Sequence, residues 1–260
     1  MRHWLLAETN YGYIKNHTIE VAVLPMGATE PHNLHLPYGT DTFEAEAIAG
    51  RACEAAFNRG ARVAMLPAIP YGTETNLMGF PLAMNLNPST LLQVITDLVE
   101  SLARHKVHKL LILNSHGGND FKPVLRELQG KTSVHLFLCD WFRGLTADVQ
   151  KEIFASAGDH AGEMETALGL AYFPELVLRD KSGQIVADDG AVNPTRFGAV
   201  NNGWVSITRN WHLLTTNSGS GNPFPATAEK GERLMEVIVN RLSEFLVSLA
   251  EAELDDEFPF

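Results

Sequence analysis

The sequence predicts an α/β fold, with a mostly parallel central sheet covered by helices on both faces. Short β-branched or leucine-rich runs alternate with segments whose apolar residues recur at helical spacing, the pattern of parallel strands joined by crossover helices. Polar clusters also follow directly on three of the predicted strands, at the sheet end where open α/β folds bind ligands. The chain has 260 residues, 45% of them hydrophobic, and no Pro/Ser-rich or low-complexity linker, so one domain over residues 1–260 is expected.

Ile19–Met26 is a β-branched apolar run closed by Pro25 and Gly27, and reads as a central strand. A helix is expected from Asp41/Thr42 to Arg59, because Phe43, Ala47, Ile48, Ala52, Ala55 and Ala56 fall near helical spacing and Asn58–Gly60 ends it. Arg62–Ile69 is the second strand, followed by a Gly/Pro-rich polar loop, Tyr71–Pro81. Pro88 suits the first turn of a helix reaching about His105, with Leu91, Leu92, Ile95, Leu98, Val99 and Leu102 on one face. Lys109–Asn114 is a short strand, Ser115–Asn119 a turn, Phe121–Gln129 a short helix and Val134–Asp140 a further strand. A helix from about Ala161 to Tyr172 comes next. Residues 180–225 are rich in Gly, Asn and aromatics, with short strands expected around Val200–Thr208. The last helix, from about Ala226 to Ala250, carries Leu234, Val237, Ile238, Leu242, Phe245 and Leu246 at helical spacing, before a solvated acidic end, Glu251–Glu257.

The formal charge of −11 argues against a nucleic-acid surface, which needs clustered Lys and Arg. No apolar run reaches membrane-spanning length and no signal-peptide core follows Met1, so a cytoplasmic protein without membrane contact is expected. Cys53 and Cys139 both stand in apolar surroundings, as buried free thiols would.

The chemistry is concentrated in three clusters. Glu30, His32, His35 and Asp41 crowd the loop after the first strand, and carboxylates mixed with imidazoles in this way suit a divalent ion. Glu30 and His32 are two residues apart and point the same way in extended chain. Asp41 begins a helix, and Asp41-x-x-Glu44 is also the pattern of a capping box. His35 is either a partner of a ligand or packing at the Pro37 turn. His116 follows the third strand between Ser115 and a Gly-Gly pair that lacks the spacing and lysine of a nucleotide loop. His160, Glu163 and Glu165 form the third cluster. If a helix includes His160, Glu163 shares its face, and if His160 lies in an entry turn either glutamate can reach it. Glu74 and Asn76 in the Gly/Pro loop, and Trp141 after a strand, are candidate substrate contacts or equally loop and core residues. No nucleophile elbow, dinucleotide fingerprint or paired-cysteine motif is present.

These clusters, in this order, resemble the creatininase (creatinine amidohydrolase) family. Glu30-Pro-His32-Asn-Leu-His35-Leu-Pro37 with Gly39-Thr40-Asp41 matches its first motif, Asn114-Ser-His116-Gly-Gly-Asn119 its second, and His160-Ala-Gly-Glu-Met-Glu165-Thr its third. The resemblance implies a three-layer α/β/α sandwich, often a homohexamer. It also implies a centre of two divalent ions, zinc foremost with manganese or iron compatible, held by Glu30, His32, a bridging Asp41, His116 and Glu165. His160 takes a catalytic, proton-handling role. The implied activity is hydrolysis of a non-peptide, possibly cyclic, amide C–N bond of a small molecule. Asn33 and Ser115 replace motif glycines and Ala167 the terminal serine. Creatininase itself has an aromatic residue and a metal-binding glutamate where this chain has Gly117 and Gly118, so the substrate does not follow from the family. Relatives with Gly-Gly here include deformylases of nucleotide-derived intermediates and a peptidase of cofactor maturation. A non-catalytic, metal-retaining subunit is the alternative from another class.

Overall fold

The structure is a computed structural model, describing residues 1–156, 158 and 160–260. Its centre is a four-stranded sheet, all parallel: β1 (Val21–Met26), β2 (Val63–Met65), β3 (Lys109–Asn114) and β4 (His135–Asp140), in the order β2-β1-β3-β4. The principal helices are α1 (Thr40–Asn58), α2 (Pro88–Arg104), α3 (Lys122–Leu128), α4 (Ala147–Ile153), α5 (Glu163–Tyr172) and α6 (Ala228–Glu251).

Alternate residues of each strand face opposite layers. Val21, Val23, Leu111 and Leu113 enter one core with Ile48 and Ala52 of α1, Leu168 of α5, and Leu234, Ile238 and Leu242 of α6. Ala22, Leu24, Leu110 and Ile112 enter the other with Leu91, Ile95 and Val99 of α2 and Val124 and Leu128 of α3. Both inner strands are buried along their whole length, as their unbroken apolar runs require. The expected three-layer α/β/α sandwich is therefore the observed one.

Some elements differ from expectation. β2 is shorter than Arg62–Ile69. Pro67 has no N–H for the ladder, and pairing resumes only as an isolated bridge between Ile69 and Met26. The strands expected around Val200–Thr208 do not form. Gly198–Asn201 is a short helix, and 202–210 runs irregularly. The helix α4 was not expected. Cys53 is buried and Cys139 half-buried, both free, and burial pushes each thiol up to about 12. No helix among the described residues is long and apolar enough to cross a membrane.

The chain passes from β1 outward to β2, then returns across β1 to β3. The strand order thus reverses between β1 and β3, and the crevice beyond their carboxyl ends is the natural ligand position.

Candidate metal centre

The loop after β1 supplies Glu30 and His32, and the first turn of α1 supplies Asp41. Gly27 permits this packing. A Cβ there would lie 2.3 Å from Thr42 Oγ1 and 2.6 Å from its Cα. The turn after β3 supplies His116 and is stitched by its own asparagines. Asn114 Oδ1 accepts from His116 N at 3.1 Å, and Asn119 Nδ2 donates to Asn114 Oδ1 at 3.2 Å and to Gly27 O at 3.3 Å. Asn33 adopts φ 54°, in the left-handed region that favours glycine and tolerates asparagine, which explains the replacement of the motif glycine. Its amide also binds the main chain of Asp188.

Asp41 lies between two imidazoles. Its Oδ1 is 3.2 Å from His32 Nε2, and its Oδ2 is 3.2 Å from His116 Nδ1. Glu30 Oε1 approaches His116 Nδ1 at 2.9 Å and His32 Nε2 at 3.9 Å, and Glu165 Oε1 stands 4.0 Å from His32 Nε2. All five sequence-predicted ligands converge. His160 joins them with Nδ1 3.8 Å from Glu30 Oε1. Donor atoms of Glu30, His32 and His160, of Glu30, Glu74 and His116, and of His32, Asp41 and Glu165 form three groups, each within 4.8 Å.

Each histidine is oriented by a main-chain carbonyl. His32 Nδ1 donates to Glu30 O at 3.0 Å, His116 Nε2 to Thr73 O at 3.2 Å and His160 Nε2 to Pro31 O at 2.9 Å. The other ring nitrogen of each faces the carboxylates, and once it loses its proton it can serve as a lone-pair donor, the arrangement found behind metal-bound imidazoles. Both oxygens of Glu30 and Asp41 Oδ2 are buried without an aligned hydrogen bond. Buried carboxylates in that state call for a cation, so the residues fit a divalent centre of oxygen and nitrogen donors.

The titration behaviour follows from this crowding. Burial pushes Glu30 up to about 7 against the pull of His116 and His160, and Glu165 up to about 7 against His32. Burial also opposes the charge of Asp41, but the two histidines outweigh it and hold the carboxyl well below its ordinary range. Burial depresses His160, and His32 adds to the effect, which favours the neutral ring.

The remaining candidates separate cleanly. Asp41 does not cap α1. Gly39 occupies the cap position and Asp41 lies two residues inside, where an acidic side chain still benefits from the helix dipole. Glu44 is not a capping partner either. It is buried, contacts Ser115 Oγ at 3.3 Å and is pushed well up by burial and by Glu165. His35 faces away, its Nε2 2.7 Å from Thr166 Oγ1. Glu163 leaves the cluster to pair with Lys230 and accept from Ser156 N at 2.9 Å. Trp141 is buried and donates to Ser115 Oγ at 2.9 Å, which gives the second departed motif glycine a role. Glu74 is fully buried with Oε1 2.7 Å from His116 Nε2. Its sequence signal was weak, an isolated glutamate in a polar loop, although that loop follows β2 at the same sheet end. A cavity of about 640 Å³ opens on the centre, lined among others by Asn76, Phe142, Arg143, Arg209 and Trp211.

The model of the creatininase family, creatinine amidohydrolase, matches residues 7–246. The mycofactocin precursor peptide peptidase of Mycolicibacterium smegmatis is 28% identical over 225 residues, covering 85% of this chain and 82% of that protein. The creatinine amidohydrolase of Pseudomonas putida is 29% identical over 243 residues, covering 86% and 87%. A crystal structure from Bacteroides fragilis, of a protein assigned as a creatinine amidohydrolase, superposes with TM-score 0.89 at 35% identity over 98% of this chain and 100% of that one. A manganese form of creatininase shares the fold with TM-score 0.73 at 21% identity, over 96% and 99%.

Proposed function

The chain belongs to the creatininase family, and from that premise we propose a metal-dependent amidohydrolase that cleaves the C–N bond of a small, non-peptide amide. The observation that carries this reading is the span of Asp41 between His32 Nε2 and His116 Nδ1, 3.2 Å from each. A carboxylate with one oxygen towards each imidazole suits a pair of ions, one beside His116 and Glu30, the other beside His32 and Glu165. Zinc and manganese are the first candidates, because creatininase structures of both kinds are known among the chain's structural neighbours. Such a pair supplies an acidified water and polarises the substrate carbonyl.

The chain's own residues supply the rest. His160 presents an unprotonated Nδ1 to the cavity, and its ring is fixed by Pro31 O and by edge contact with Trp211 at 5.1 Å. That nitrogen takes a proton from the attacking water and returns it to the leaving nitrogen, work worth ~10²–10⁴ in rate. The cavity volume falls within the range of small-molecule sites. Arg143 and Arg209 along its wall favour a substrate with an anionic group besides its amide. The similarity to a peptidase over 85% of the chain supports a second reading, a short peptide as substrate.

Removal of metal by chelator, followed by add-back of zinc, manganese or iron, tests the proposal on cyclic amides, formamides and short peptides. Hydrolysis should return with metal, and His160→Gln should lower kcat ~10²–10⁴-fold at unchanged metal content. Full occupancy without turnover of any of them would make the protein a metal-retaining binding subunit. Turnover of peptides alone would select the second reading.

A further inference from the structure

His116 differs from the other two histidines of the centre in what backs its outward nitrogen. His32 and His160 have a main-chain carbonyl there, whereas His116 Nε2 has both Thr73 O at 3.2 Å and the carboxylate of Glu74 at 2.7 Å. Glu74 is fully buried, and apart from the close approach to His116 neither of its oxygens has an aligned hydrogen bond among the described residues. A carboxylate in that state is strongly destabilising on its own. No lysine or arginine pairs with it among the described residues, so His116 is its one basic neighbour.

The loop is built to deliver it. Thr73 N donates to Asn119 Oδ1 at 3.0 Å, tying the loop to the turn that carries His116, and Glu74 N donates to Asn85 Oδ1 at 2.8 Å. Gly118 clears the approach. A Cβ there would stand 2.3 Å from His116 Nε2 and 2.5 Å from Thr73 O, so a side chain at 118 is incompatible with the loop lying on the imidazole.

We propose that Glu74 is a positioning residue of the metal centre: it holds His116 with Nε2 protonated and outward, leaving Nδ1 to meet a cation beside Glu30 and Asp41. The inference rests on the metal-centre reading above. A carboxylate behind a ligating imidazole fixes its tautomer and ring orientation and raises its basicity, and its loss typically costs 10–100-fold in metal affinity.

The full-length protein, stripped of metal and titrated with Zn²⁺ and Co²⁺ against a chromophoric chelator, tests this. Glu74→Gln should keep the number of ions bound at saturation, weaken one of them ~10–100-fold and shift the visible Co²⁺ spectrum. Glu74→Asp should recover part of the loss, and Gly118→Ala should reproduce it by pressing on Nε2 and Thr73 O. Independently of any variant, long-range ¹H–¹⁵N correlations of the Zn²⁺-loaded wild type should show His116 coordinated through Nδ1 and protonated at Nε2. Coordination through Nε2 would overturn the proposal. So would unchanged affinity and spectrum in both Glu74→Gln and Gly118→Ala, or a saturated stoichiometry lowered by one ion in Glu74→Gln, which would make Glu74 a direct ligand. A wild type that binds no metal would instead sink the metal-centre reading itself.

Discussion

At the scale of single residues, the centre is a set of carboxylates and imidazoles that are each unstable in isolation. Asp41 is the one whose loss cannot be shared, because both histidines face it. Asp41→Ala is expected to lose bound metal on dialysis and, with it, activity, and elemental analysis that finds unchanged metal would reject the bridging role. Proton competition gives a second prediction. Glu30 and Glu165, both raised to about 7 by burial, hold protons below that value in the metal-free protein, and those protons must leave before an ion binds. Burial disfavours charge on His32 and His116, but the carboxylates around them raise both well above the ordinary imidazole range, and those protons must leave too, so metal affinity should rise with pH from about 6 upward, with proton release in weakly buffered solution. The sign on folding is opposite. A raised carboxyl favours the fold while it is protonated, so its contribution, full below about 4.5, is lost as pH rises towards 7. Bound metal removes that loss by replacing the proton.

At the scale of elements, two close approaches hold the site together. β1 and α1 touch at Gly27, where a side chain would overlap the backbone of Thr42, the residue after Asp41. Gly27→Ala should cost ~1–3 kcal/mol in chemical denaturation, the usual range for overpacking, and loosen metal binding with it. A fold as stable as wild type would show that the β1–α1 contact can yield. Lys109, at the opposite end of β3, is buried and donates to Leu249 O at 2.8 Å and Ala252 O at 2.6 Å, closing the carboxyl end of α6. Lys109→Met keeps the stem and removes the donors. It is expected to cost ~2 kcal/mol, without change in metal content.

At the scale of the whole molecule, the two cores share strands β1, β3 and β4, so neither helical layer keeps its packing surface without the sheet. We propose one cooperative unit over the chain, read as a single transition when the metal-free protein is heated, whereas two separate transitions would mean two units. Segment 178–213 exposes the large apolar side chains Phe197, Trp204 and Leu213 at 66%, 79% and 67%. The homo-oligomer implied by the family resemblance would cover part of it. Light scattering should give a mass several times the 28.6 kDa of one chain, and a strictly monomeric mass would refute that expectation.

Much of this was legible in the sequence. β1, β3, β4 and the helices α1, α2 and α6 declare themselves because burial on both faces, or along one helical stripe, imposes a repeating apolar pattern. Glu30, His32 and His116, in short loops, and Asp41, in the first turn of α1, could be picked out because a short chain distance from a strand end limits where their side chains can go. Four things were decided only by tertiary structure. Pro67 cut β2 short through the demands of its neighbour's ladder, and 198–210 formed a short helix and irregular chain in place of strands. Glu163 turned away because Lys230, distant in sequence, pairs with it, while Glu165 faced His32 instead. Glu74 met His116 across 42 residues because β2 and β3 flank β1 and the chain beyond β2 runs on to the Ile69–Met26 bridge at the end of β1, a juxtaposition that belongs to the sheet order rather than to any local pattern. Local spacing fixes which residues share a face, and only the packed topology fixes which faces meet.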